Sequence, residues 1–435
     1  MTPDEIKALA ANCRGEQGVV MNMLDLHLSD ALTALALLKS DSIDAIVTDP
    51  PAGIGFMGKT WDKDKGGRDA WIVWLRDIMV ECLRVLKPGG HALVWALPRT
   101  SHWTATALED AGFEIRDVGV HLFGTGFPKS LDVSKALDKS VGAEREIVGK
   151  KTGRAGQPRT DIRGGRLVDG GGAGSIDLSA ITAPATDAAK QWSGWGTALK
   201  PAAEHWILAR KPLIGTVAAN VLAHGTGALN IDGCRIETTE NLNGGAYSGE
   251  KREKTGEWQS GDRSGGKGSG FRPGAGEYKA PSGRWPANVT LDEEAAALLD
   301  EQSGERTSGK PGVRRKPSES VAHGGALGVG QQSGFGDTGG ASRFFYVAKG
   351  SKSEKTAGGT IANTHPTVKS VALMRWLVRL ITPPGGVVLD CFAGSGTTGV
   401  AAMREGHRAI LIESNKEYFD IARARLLDEI AKVTP

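Results

Sequence analysis

Two short stretches of this chain carry residue types that could do chemistry together, although more than 300 positions separate them. The first is Asp49-Pro50-Pro51, directly after the apolar run at 43–47. Two consecutive prolines stiffen the backbone and remove two N–H groups. What the loop presents is therefore acceptors: the Asp49 carboxylate and the carbonyls of Pro50 and Pro51. Acceptors of this kind suit an amine whose lone pair is delocalised into an aromatic ring. Taking up both its hydrogens localises the lone pair and aims it at an electrophile, so positioning and electrostatics carry the rate without a covalent intermediate. The second stretch, LDCFAGSGTTG at 389–399, sets Gly394-Ser395-Gly396-Thr397-Thr398-Gly399 in a GxGxxG pattern. Glycines so placed, after a strand and before a helix, let a nucleotide-type cofactor come close to the backbone. Phe392 adds an apolar wall, and Glu413, ending the next expected strand, a carboxylate for ribose hydroxyls. The pattern alone serves NAD as well as any other adenosine cofactor. Phe392 and the late position of the cradle tilt the choice away from a dehydrogenase.

The surrounding sequence supplies the elements that must hold these groups. Asp30 stands where a cap belongs, before a helix expected to reach Lys39. A short buried strand at 43–48 follows, then a helix at 69–86 with helical apolar spacing, stopped by Lys87-Pro88-Gly89-Gly90. Strands at 91–96 and 113–122 flank a helix at 101–110. The same rhythm resumes near the end of the chain, with helices at 368–381, 397–405 and 415–427 and strands at 387–390 and 408–413. Alternation of this kind predicts an α/β fold with a parallel sheet covered on both faces. Ligands bind such sheets at the carboxyl ends of their strands.

Between these halves the composition changes. Of the 435 residues 61 are glycine, concentrated between 124 and 340. The tracts 153–174, 241–283 and 304–340 are rich in Gly, Ser, Arg and Lys, and such sequence buries too little apolar area to offset chain entropy alone. Ordered islands are expected at 203–213, 227–237, 283–291 and 342–348. Basic residues with Trp258, Phe271 and Trp285 among them suit phosphate contact and base stacking. The organisation expected is an acceptor half at 1–125, an insert at 126–340 whose loops order on a partner, and a cofactor half at 341–435.

The formal net charge is only +3, so affinity for a polyanion has to come from local patches. Four scattered cysteines without a CxxC pair argue against a disulfide framework and a structural zinc site. His205, His224, His323 and His365 have no metal-ligand spacing, and no metal is expected. A polar N-terminus and the lack of any long apolar run point to a cytoplasmic protein without membrane association.

With both stretches and their order in view, the chain resembles the β-class of DNA amino-methyltransferases, which methylate adenine N6 or cytosine N4. In that class the acceptor motif comes first and the cofactor motif last, in permuted order. The resemblance covers 1–125 and 341–435. It implies a Rossmann-like sheet built from both chain ends, S-adenosylmethionine as cofactor, double-stranded DNA as partner, and base flipping before direct transfer, with adenine N6 favoured. It further implies that Asp49, Pro50 and Pro51 hold the target amine beside the cofactor. Asp30 would contact the cofactor adenine, and His365 and Lys369 its methionine portion. Asp390, Phe392, Gly394, Gly396, Thr397 and Thr398 would line the pocket, with Glu413 on the ribose. Homodimers are compatible with the class. The segments at 126–130 (GFPKS) and 283–288 (GRWPAN) resemble phage-borne members.

One position departs from the family pattern. Where the family has a Tyr or Phe that stacks on the extruded base, this chain has Ala52. Phe56 or Trp61 in the following loop could replace it. Three other readings stay open: cytosine N4 as target, a weak or inactive DNA-binding homologue, and C5 methylation, which needs a thiol beside the base where neither Cys234 in the insert nor Cys391 beside the cradle is an obvious candidate.

Overall fold

The computed structural model of the protein describes residues 18–21, 23–55, 60–62, 65–126, 130–150, 180–238, 282–307, 338–350, 352–356, 359 and 361–433. Phe56, Trp258, Phe271 and His323 lie outside them.

Ten strands form one sheet: β1 (Gly18–Met21), β2 (Leu24–Leu28), β3 (Ile43–Thr48), β4 (Leu86–Ala96), β5 (Glu114–Leu122), β6 (Ala203–Arg210), β7 (Val289–Asp292), β8 (Tyr346–Ala348), β9 (Val387–Asp390) and β10 (Arg408–Glu413). Their spatial order is β1-β2-β10-β9-β3-β4-β6-β5-β7-β8. The pairs from β2 across to β4 are all parallel. Strand β6 runs antiparallel to both β4 and β5, and β1 antiparallel to β2. The helices are α1 (Ala31–Ala36), α2 (Arg68–Val85), α3 (Ser101–Asp110), α4 (Val217–His224), α5 (Glu293–Ser303), α6 (Val371–Ile381), α7 (Thr397–Arg404) and α8 (Lys416–Val433).

The sheet is covered on both faces, as the buried strands β3 and β9, largely apolar, require. On one face Leu35 of α1, Trp71, Leu75 and Met79 of α2 and Leu108 of α3 pack on Ile46, Val94 and Leu389. On the other, Leu373, Met374 and Leu377 of α6, Val400 of α7 and Phe419 and Leu426 of α8 pack on Val47, Leu93, Val388 and Leu411. Successive strand residues alternate between the two clusters, as a pleated backbone demands.

Two elements depart from expectation for visible reasons. Helix α1 stops at Ala36 rather than Lys39, because the Arg84 guanidinium takes the carbonyls of Leu35 (2.8 Å) and Leu38 (2.9 Å). The segment Lys87-Pro88-Gly89-Gly90, expected as a turn, belongs to β4. The Pro88 carbonyl there accepts from Asn220 Nδ2 (2.8 Å) and Thr226 Oγ1 (2.6 Å), and Gly89 takes φ 75°.

The chain divides into two compact units, Thr125–Ala202 and the remainder. Within the region expected as one insert, β6, α4, β7 and α5 therefore belong with the main sheet. The Thr125–Ala202 unit carries a helix (Val133–Ser140) capped by Asp132, the paired strands Ile147–Lys150 and Ala180–Thr182, and a helix at Asp187–Gln191. At its centre Asp138 accepts from Arg145 Nη1 (2.5 Å), the backbone N–H groups of Ala185 and Thr186 (each 3.0 Å) and Thr186 Oγ1 (2.7 Å). No helix of the described residues is long and apolar enough to cross a membrane.

Candidate active site

Strand order directs attention to one edge. From β9 the chain crosses through α7 to β10 on one side, and from β3 through α2 to β4 on the other. Connections that diverge between neighbouring strands open a crevice at their carboxyl ends. Asp49-Pro50-Pro51 leaves β3 at that crevice, and the glycine-rich turn leaves β9 beside it. A buried hydrogen bond of 2.6 Å from Thr48 Oγ1 to Asp390 Oδ1 ties the two ends. Thr398 Oγ1 and the Phe392 N–H also donate to the Asp390 carboxylate. Burial raises the pKa of Asp390 while these donors oppose it. With three internal donors Asp390 works as a clamp on the strand ends.

The glycine turn has the backbone that its sequence suggested. Gly394 takes φ 53° and Gly396 φ 77°, a region costly for residues with a Cβ. A Cβ on Gly394 would lie 2.8 Å from His365 Nε2, and one on Gly396 3.0 Å from the Ala422 Cβ. His365 is set edge-on to Tyr418 at 4.4 Å. From behind, the buried Arg425 donates to the Ser395 carbonyl (2.6 Å) and to the hydroxyls of Ser395 and Thr397 (each 3.0 Å). Glu413 accepts from the N–H groups of Gly394 and Asn415, each at 2.7 Å, one per carboxylate oxygen. Burial pushes its pKa up to about 7. Phe392 is half-buried with its ring 5.8 Å from Trp74, which extends the apolar wall. Asp30 caps α1 through the Thr33 N–H (2.9 Å), and the adjacent Ser29 N–H donates to the Glu413 carbonyl (3.1 Å). Asp30 therefore stands beside the Glu413 end of the cradle.

On the acceptor side, Pro50 is buried and Pro51 and Ala52 are half-buried. Lys369 Nζ is 3.1 Å from Asp49 Oδ2 and 3.7 Å from Glu204 Oε2, and 4.1 Å from the centre of the Trp95 ring. Burial raises the Asp49 pKa to about 6, with Lys369 opposing and Glu204 assisting. The loop after Ala52 folds back on itself: Asp62 Oδ1 takes the Gly53 N–H (3.0 Å) and its carbonyl the Gly55 N–H (2.7 Å). That returns the half-buried Trp61 to the neighbourhood of Ala52. Gly53 has no room for a side chain, since a Cβ there would lie 2.5 Å from Trp71 Cδ1.

Contacts thus link the expected residues into two adjoining groups: Asp49 with Lys369, and Asp390, Phe392, Gly394, Thr397, Thr398 and Glu413 with His365. Trp61 joins through Asp62, while Phe56 lies outside the described residues. Cys391 is buried against Cys82 (3.9 Å) and Thr48 (3.6 Å), and Cys234 is buried near the Trp376 carbonyl (3.8 Å). The hydrogen bond to Cys391, and then burial, raise the Cys82 thiol, and burial raises that of Cys234. Among the described residues no cluster of His, Cys, Asp and Glu could hold a metal ion. Sequence reasoning missed Glu204, Trp95 and Arg425. For Glu204 a signal was present: a carboxylate stands near the start of the run AEHWILAR, ahead of its apolar middle.

A family model described as DNA methylase, of the N6/N4 methyltransferases, matches residues 43–121 and 278–424. Two type II methyltransferases match over 75 residues: M2.DpnII of Streptococcus pneumoniae at 48% identity and M2.LlaDCHI of Lactococcus lactis subsp. cremoris at 45%. Each match covers 17% of this chain and 26% of the relative, so the chain spans about a quarter of these curated proteins. Among solved structures, M1.HpyAVI in complex with SAM is similar at 17% identity and TM-score 0.38, covering 93% of this chain and 99% of that one. The PvuII cytosine-N4-specific DNA methyltransferase is similar at 13% identity and TM-score 0.43, covering 93% and 87%. The matched family segments take in β3 with its Asp-Pro-Pro end and β9 with its glycine turn, together more than half of the residues, and the chain belongs to the N6/N4 DNA methylase family.

Proposed function

We propose that the protein transfers a methyl group from S-adenosylmethionine to an exocyclic amine of a DNA base, with adenine N6 favoured over cytosine N4. The observation that carries this is the meeting of Asp49-Pro50-Pro51 and the glycine turn at the diverging ends of adjacent β3 and β9, joined by the Thr48–Asp390 hydrogen bond. Asp49 Oδ and the Pro50 carbonyl accept the two amine hydrogens and so localise the nitrogen lone pair. Lys369, 3.1 Å from Asp49, favours the ionised carboxylate. Transfer would break the donor's sulfur–methyl bond as the N–C bond forms, leaving a neutral thioether, while an amine proton moves toward Asp49.

The residues of the cradle fit the cofactor. The side-chain-free approach at Gly394 and Gly396, the Phe392–Trp74 wall and the buried Glu413 would hold an adenosine, with Glu413 on its ribose hydroxyls and Asp30 near its base. When bound, the cofactor supplies an electrophilic methyl on a sulfonium. The order of the two motifs along the chain supports a permuted, β-class member, and the GFPKS and GRWPAN segments a phage-type one acting in the cytoplasm as part of a modification system. The region 126–340 is assigned to target recognition on double-stranded DNA. There Trp285 stands 66% exposed, with Arg235 5.4 Å from its ring. Extrusion of the base makes its amine accessible.

Mass spectrometry of nucleosides from unmethylated DNA, incubated with the protein and S-adenosylmethionine, tests this. N6-Methyladenine is the product expected, and Asp49→Ala should remove it. N4-Methylcytosine would correct the target base, 5-methylcytosine would overturn the chemistry, and no product from a chain that binds both ligands would overturn the activity.

A further inference from the structure

Lys369 is only 12% exposed, and its ammonium is shared. Asp49 Oδ2 lies at 3.1 Å, Glu204 Oε2 at 3.7 Å, and the Trp95 ring covers it at 4.1 Å. An ammonium has three donors on a flexible stem. A lysine facing Asp49 alone could close fully onto that carboxylate and take the lone pairs an incoming amine must use. Here the second carboxylate and the indole face hold it to one side. Glu204 reaches this place because β6 runs antiparallel to its neighbours, so the start of β6 lies at the carboxyl edge of β4 and β5.

We propose that Glu204 is a positioning residue for the reaction at Asp49: it draws the Lys369 ammonium partly away, leaving the Asp49 carboxylate ionised yet free to accept the target amine. The inference rests on the amine-methylating function proposed above. It deepens that reading by adding a residue from a strand that neither motif contains.

The electrostatics give this a direction that a merely structural role lacks. Glu204 raises the Asp49 pKa and Lys369 lowers it. The other groups facing the cluster are Asp390 from β9 and His121 from β5, which pairs with Glu204 across the strands and holds Thr290 Oγ1 at 3.0 Å, with Asp292 nearby. Removing the Glu204 charge should therefore lower the pH at which Asp49 ionises, even as transfer slows.

The test compares the full chain as wild type, E204Q and E204D. Methyl transfer to DNA is measured from pH 5 to 8, and the Asp49 carboxyl carbon is titrated by NMR in aspartate-labelled protein, with D49N assigning its signal. For E204Q the acid limb of kcat and the carboxyl midpoint should both move down by about one pH unit. Its kcat should fall roughly tenfold at a nearly unchanged cofactor KM, and E204D should lie between E204Q and wild type. An active wild type with an unmoved limb and midpoint in E204Q overturns the inference alone. If E204Q does not fold, an unmoved midpoint in E204D overturns it. A wild type that methylates no DNA overturns the proposed function and this inference together.

Discussion

Burial at the candidate site sets ionisation at the two carboxylates that would touch ligand. Glu413, pushed up to about 7, has one backbone N–H on each oxygen and further lone pairs free for hydroxyl donors. Only its ionised form accepts two hydroxyls well, so cofactor affinity should rise as pH passes upward through 7. A gain of about tenfold between pH 6 and 8 follows from linkage and can be read by calorimetric titration. Glu413→Gln should flatten that dependence as well as weaken binding, and a pH-independent wild-type affinity would remove Glu413 from the ribose. Ala52 raises a second residue-scale question. Base–aromatic stacking contributes about 1–3 kcal/mol, and the nearest described aromatic along the loop is Trp61. If nothing replaces the family aromatic, Ala52→Tyr should raise kcat/KM roughly tenfold or more. If Trp61 already stacks, the substitution should change little, and Trp61→Ala should instead cause the loss.

At the scale of elements, the turn after β9 is built for close approach. Gly394→Ala would force a Cβ into positive φ, costing about 1–2 kcal/mol, and would push it against the His365 ring at 2.8 Å. A lower melting temperature together with a cofactor affinity reduced at least tenfold is expected. Normal affinity would mean that the ligand does not pass over this turn. The strands carrying Asp49, Asp390 and Glu413 were legible in the sequence because each is a short apolar run ending in a polar group. The early end of α1 was not, since the Arg84 guanidinium that takes its last carbonyls comes 46 residues after Leu38. Nor was β6 placed between β4 and β5: a single reversed strand amid glycine-rich sequence gives no local sign of its partners. Glu204 was missed with it, because its role depends on the direction of that strand.

At the scale of the whole molecule, charge is unevenly divided. The Thr125–Ala202 unit carries twelve Lys and Arg against eight Asp and Glu, more than the net +3 of the entire chain. Attraction to DNA phosphates should therefore reside largely in this unit. Its fold hangs on Asp138, whose burial would raise its pKa but whose hydrogen bonds from Ala185 and Thr186 and ion pair with Arg145 hold it down at about 2. Asp138→Ala should abolish the unit's own unfolding transition in calorimetry and weaken DNA binding, while cofactor affinity stays at the wild-type value. A single transition lowered as a whole would show that the two units do not unfold separately.

The hydrogen bond between Thr48 and Asp390 joins residues 342 positions apart. During synthesis, β3 must therefore wait without its neighbour while that much chain is made, about 20 to 70 seconds at ordinary ribosomal rates. Through that interval the side of β3 facing β9 has unpaired amides and carbonyls, open to the strand of any other nascent chain. An unfinished polypeptide holds the acceptor loop without the cradle. The proposed activity can then appear only late in translation, once the strand that carries Asp390 has been made.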